Sequence, residues 1–139
     1  MSLDILCSQY DSMNEDEELD SSNSSYHFVG LTTEIKRGSS KSFSIKTEGE
    51  KILEIAVFNL DGIYHAISNS CMHKGGPLSK GFLNGDIITC PWHGWKYSVK
   101  TGKSPHKGGD SVNSYPVKII KDKIFEFNLS LFLFFLFIL

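Results

Sequence analysis

The sequence predicts an all-β fold, a small antiparallel sandwich or barrel, and three observations predict it. Apolar and β-branched residues come in short runs bounded by Gly, Ser, Asn and Asp. The turn chemistry between runs is that of hairpins, with Asp61-Gly62 the clearest instance. No stretch sustains a helical period, and no internal repeat is present. At 139 residues the chain has room for one domain with a modest core.

Taken in order, residues 1–25 carry seven acidic side chains and no Lys or Arg. They lack apolar periodicity and repel one another, so a disordered acidic tail is expected there. The segments "SYHFVGLTTEI" and "KSFSIKT" read as strands around the turn "RGSS". "KILEIAVFNLDGIYHAI" is a hairpin, with strands over 52–58 and 63–67. "DIITC" and "WKYSV" are further strands, and "YPVKIIKDKIFEF" is a last hairpin turning at Lys121-Asp122-Lys123. The expected domain therefore covers 26–128. Residues 129–139, "LSLFLFFLFIL", have only Ser130 polar. As a helix they would reach about 17 Å, against a hydrocarbon core of about 30 Å. They cannot span a bilayer alone, and a membrane role is the less favoured expectation.

Charge narrows the function classes. With the acidic tail set aside, the remaining residues hold 14 basic and nine acidic side chains. The lysines are scattered and Arg37 is the one arginine, so nucleic-acid binding is excluded. A mildly basic domain suits the steering of an acidic protein partner. The N-terminus has no basic region and only a three-residue apolar run, which is unlike a secretory signal. Three cysteines, two of them beside histidines, are not a disulfide framework. Free thiols point to a reducing compartment, and the cytoplasm is expected.

The chemistry lies in "CMHKGGPLSKGFLNGDIITCPWHGW". Cys71-x-His73 is followed after sixteen residues by Cys90-x-x-His93. Gly75, Gly76 and Gly94 let backbone N–H groups come close to an electron-rich centre. Pro77 and Pro91 stiffen the same loops. Two Cys and two His are also a structural zinc set. Zinc sites space their paired ligands more widely than Cys71 and His73, yet spacing alone leaves both metals open.

"CMHKGGPL" and "CPWHGWKY" resemble the two cluster-binding boxes of Rieske iron–sulfur domains, Cys-x-His-x-Gly-x-x-Leu and Cys-Pro-x-His-Gly. Cys71, His73, Gly75, Leu78, Cys90, Pro91, His93 and Gly94 meet every fixed position. The resemblance implies a cluster-binding subdomain of two loops and one 2Fe–2S cluster. It implies Cys71 and Cys90 on one iron and His73 and His93 on the other, with both histidines at the domain tip. Two neutral imidazoles in place of two thiolates raise the potential over an all-Cys cluster.

The high-potential members of the family carry two further cysteines as a loop disulfide. Gly76 and Trp92 stand at those positions, and Trp95 stands where their sulfide-bonding serine falls. Tyr97 matches their tyrosine near a cysteine sulfur. "CPWHGW" is similar to the box of Rieske-type ferredoxins and of oxygenase Rieske domains. The resemblance therefore implies a one-electron carrier between a flavin-type reductase and an oxygenase or other oxidoreductase, with no catalytic residues of its own. The alternatives are a small subunit like that of nitrite reductases, or a membrane-tethered Rieske protein. A self-sufficient oxygenase needs a 2-His-1-carboxylate iron site, and after His93 only His106 remains. Leu78 and Pro77 are expected in packing around the cluster, and Lys74 and Trp92 are open between such packing and partner docking. His27 and His65 are expected to be ordinary surface or packing residues.

Overall fold

A computed structural model describes residues 26–47 and 50–127. The expectations for residues 1–25, where the third cysteine, Cys7, lies, and for 129–139 fall outside the described residues. Among the described residues ten strands follow one another: β1 Tyr26–Leu31, β2 Ser40–Lys46, β3 Ile52–Leu60, β4 Ile63–Ser68, β5 Phe82–Asn84, β6 Ile87–Thr89, β7 Lys96–Ser98, β8 Ser114–Tyr115, β9 Val117–Ile120 and β10 Lys123–Phe127. They form three antiparallel sheets with strand orders β1-β10-β9, β2-β3-β4-β8 and β5-β6-β7. The all-β antiparallel fold is the one the sequence predicts.

The β2-β3-β4-β8 sheet lies between two cores. Successive strand residues point to opposite faces, and Ile55, Ala56, Val57 and Phe58 of β3 are all fully buried. Ile55 and Val57 join Ile35, Ile45, Ala66 and Ile124, toward the β1-β10-β9 sheet. Ala56 and Phe58 join Ile67, Leu78, Ile88, Tyr97, Val99 and Val112, toward β5-β6-β7. Cys71 and Cys90 belong to this second core. That places the two cysteine candidates on the wall of a packed interior.

Turn chemistry fixes the registers. Leu60 pairs with Ile63 across Asp61-Gly62, whose φ values of 52° and 89° are those of a hairpin turn with both central residues left-handed. Ile120 pairs with Lys123, so the last turn is Lys121-Asp122 and Lys123 already belongs to β10. Tyr115 lies outside that hairpin, pairing with Ala66 of β4.

Two departures have local causes. The first strand stops at Leu31 and does not run to Ile35. A bulge falls between Phe28 and Gly30, where a Cβ on Gly30 would collide with the Phe43 ring. The chain then turns through a 3-10 segment at Thr32–Glu34, held by Glu34 accepting from the Leu31 N–H at 2.8 Å. Strand β5 has no counterpart in the sequence-based assignment. Its three residues show no buried alternation, and Phe82 is 72% exposed.

Candidate metal centre

Two loops of the same construction carry the four candidates. In the first, between β4 and the 3-10 turn Leu78–Lys80, the Cys71 N–H donates to the Gly76 carbonyl at 2.9 Å and the Gly75 N–H to the Cys71 carbonyl at 2.8 Å. In the second, between β6 and β7, the Cys90 N–H donates to the Trp95 carbonyl at 2.7 Å and the Gly94 N–H to the Cys90 carbonyl at 3.1 Å. Each loop closes over five residues, with a glycine four places after the cysteine at φ 74° and 75°. That left-handed position favours glycine. The histidine comes two places after Cys71 but three after Cys90. One backbone form thus presents two imidazoles in different orientations.

The four side chains divide into two pairs. Cys71 and Cys90 are buried, unbridged, each 3% exposed, and close enough for Cys71 to influence the ionisation of Cys90. His73 and His93 are exposed, with ring centroids 4.8 Å apart and planes at 83°. Among the described residues no three His, Cys, Asp or Glu side chains converge on a point able to hold one metal ion. A sulfur pair below an imidazole pair suits a group with two metal centres.

The surroundings suit such a group too. Burial, and then the neighbouring Cys71, pushes the Cys90 thiol up, while the N–H groups of Trp92 and His93 that bond its sulfur pull the other way. Metal ligation deprotonates a thiol outright, and those N–H groups are then in place for the thiolate. Tyr97 is fully buried, with its hydroxyl 3.3 Å from Cys71 Sγ. Burial and the adjacent Cys71 hold that hydroxyl well above the ordinary tyrosine range, so it stays protonated and acts as a donor.

Gly76 and Trp92 are neighbours in space. A Cβ at Gly76 would stand 2.7 Å from Cys90 Sγ and 3.2 Å from the Trp92 ring. The bare glycine lets the indole lie across it. Trp92 remains 56% exposed, and Met72 beside His73 is 60% exposed. Lys74 is exposed, while Leu78 is fully buried and Pro77 half-buried.

The remaining histidines have other surroundings. The Nδ1 of His27 lies 3.1 Å from the buried Glu126 carboxylate. His65 on β4 is half-buried, and His106 is exposed in a loop. Sequence reasoning missed the stack of Trp95 on His73, with centroids 4.8 Å apart and planes at 13°. No residue pattern signals it, because the contact joins the two loops in space.

An all-β domain with paired Cys and paired His on two matched loops is compatible with an iron–sulfur domain of mixed thiolate and imidazole ligands. Residues 25–116 match the family model described as Rieske [2Fe-2S] domain. The chain belongs to that family, whose cofactor is one Rieske-type 2Fe–2S cluster. Human apoptosis-inducing factor 3 is 33% identical over 97 residues, 69% of this chain and 14% of that protein. The 3-phenylpropionate/cinnamic acid dioxygenase ferredoxin subunit of Escherichia coli K12 is 36% identical over 73 residues, 51% of this chain and 69% of that one. The solved Sphingomonas yanoikuyae B1 ferredoxin superposes with a TM-score of 0.62 at 26% identity, covering 73% of this chain and 96% of that one. The chain thus spans a small part of the apoptosis-inducing factor and about two thirds of the dioxygenase subunit. Among the described residues no helix is long and apolar enough to cross a membrane.

Proposed function

We propose that Cys71 and Cys90 hold one iron of the cluster and His73 and His93 the other, within a redox domain of residues 26–128. The chain then serves as a one-electron carrier, passing electrons from a flavin-type reductase to an oxygenase or other oxidoreductase. The observation that carries this is the exposed imidazole pair set over a buried thiol pair. The cluster supplies the one-electron chemistry. The protein keeps the sulfurs out of water, directs the N–H groups of Trp92 and His93 and the Tyr97 hydroxyl at them, and presents the imidazole edges to a partner. Outer-sphere transfer needs no general acid, base or nucleophile.

Exposed Trp92 and Met72 flank the two imidazoles, which offers a partner an apolar contact at the point where the electron leaves. The dioxygenase ferredoxin subunit among the relatives supports an oxygenase as acceptor. A free-thiol metal site with no loop disulfide supports a cytoplasmic setting.

The Rieske range runs roughly from −150 to +300 mV. With neither the loop disulfide nor the serine donor, the midpoint of this chain falls toward the low end. Tyr97, which keeps its bond to Cys71, lifts it somewhat above the floor. A redox titration tests this, and a midpoint well above about +100 mV overturns the low-potential assignment.

A further inference from the structure

Trp95 connects the protein core to the metal centre. The indole is half-buried and packs against the core that contains Phe58, Leu78 and Tyr97. Its other face lies on the His73 ring, 4.8 Å between centroids and 13° from parallel. The His93 ring stands at 83° to that same His73 ring, 4.8 Å between centroids. Three rings are therefore in successive contact: an indole packed against the core, an imidazole stacked on it, and a second imidazole nearly perpendicular to the first. The Trp95 carbonyl also accepts the Cys90 N–H at 2.7 Å, so the bond that closes the second loop fixes the backbone from which the indole projects. Among the described residues the His73 ring is in contact with both the Trp95 indole and the His93 ring.

We infer that Trp95 is a positioning residue for the metal centre. It sets the plane of the His73 ring, and through that ring the angle of His93, and it keeps water off one face of His73. The inference rests on the ligand assignment proposed above. An exposed histidine left to itself samples several rotamers. A large rigid aromatic surface under one face removes that freedom before any metal arrives, which is preorganisation of ligands by their support. Screening His73 from water also bears on the potential. Reduction adds one electron with no bond made or broken, and water stabilises the added negative charge better than an apolar wall does. Removing the indole therefore favours the reduced form.

The test compares the full chain with Trp95→Phe and Trp95→Leu. The leucine fills the core side without offering a flat ring. In the iron-free chain, the ring protons of His73, assigned by their loss in His73→Gln, are read by NMR. They are expected upfield of the exposed His106 protons in the parent and in Trp95→Phe, and close to the His106 position in Trp95→Leu. In the iron-loaded chain, the equilibrium constant for reduction rises about three- to tenfold in Trp95→Leu, where tenfold is 59 mV for one electron. Trp95→Phe moves it by less than half as much on the same voltage scale. Melting curves check that each variant is folded, and Trp95→Phe keeps the comparison open if Trp95→Leu does not fold. Unchanged His73 shifts and unchanged potential in a folded Trp95→Leu overturn the inference, as does a phenylalanine variant as perturbed as the leucine one. A parent chain that gives no mixed-ligand EPR signal overturns the ligand assignment instead, and the iron-free NMR comparison still decides the stack.

Discussion

At Gly76 a missing side chain shapes the centre from one side, and at Tyr97 a hydroxyl shapes it from the other. A Cβ at Gly76 would press on Cys90 Sγ at 2.7 Å and on the Trp92 ring at 3.2 Å. Neither is the loose end of a flexible chain. Gly76→Ala is expected to cost about 1–3 kcal/mol by overpacking and to lower iron content, as read by iron assay and thermal melting. Tyr97→Phe removes the donor to Cys71 Sγ. Hydrogen bonds to the sulfurs stabilise the added electron, so the midpoint of Tyr97→Phe is expected below that of the parent in paired redox titrations, with about 0.5–1.5 kcal/mol lost in stability. The cysteine and histidine candidates were legible in the sequence because a two-box motif is local. The positions of Gly76, Trp92 and Tyr97 were legible by matching to the high-potential pattern. The indole under His73 and the N–H groups on Cys90 Sγ were not, since both depend on how the loops fold over one another.

At the level of elements, strands with turn chemistry or alternating burial were readable, and those without were not. The β3–β4 hairpin shows both, with Asp61-Gly62 and a run of apolar residues that divides between two cores. Strand β5 is three residues long and turns only Leu83 toward the core. Its place comes from Gly81, where a Cβ would collide with the Thr89 carbonyl oxygen, and from its pairing with β6. Strand β10 holds a titratable device in the β1-β10-β9 sheet. Glu126 is 5% exposed, and burial pushes its carboxyl above the usual range, partly offset by the bond to His27. The folded chain therefore keeps a proton that the unfolded chain releases once pH rises past about 4.5. Stability from this group falls as pH rises from the unfolded value through the folded one, and stays lower above it. Glu126→Gln is expected to flatten that decline. Melting curves of parent and variant at pH values from about 4.5 upward read the difference, and parallel curves would contradict it.

Across the whole molecule, charge and exposure favour a docking end. Beyond residue 25 basic side chains outnumber acidic ones, and Lys74, Lys80 and Lys96 are exposed in or beside the loops that carry the exposed imidazoles. Surface charges act over a Debye length of about 8 Å at physiological salt. Association with an acidic redox partner is expected to slow about tenfold or more between low and high ionic strength. Stopped-flow reduction rates that do not change with salt would contradict steering by this face. The large apolar side chains at the same end, Met72, Trp92 and Phe82, suit a contact that forms and releases quickly once charge has brought the partners together.

The centre itself is tested most directly by the EPR spectrum of the reduced protein. Two thiolates on one iron and two imidazoles on the other predict a signal from a single unpaired spin per cluster, with an average g below that of an all-thiolate 2Fe–2S cluster. A reduced chain that is EPR-silent and carries zinc would contradict the account.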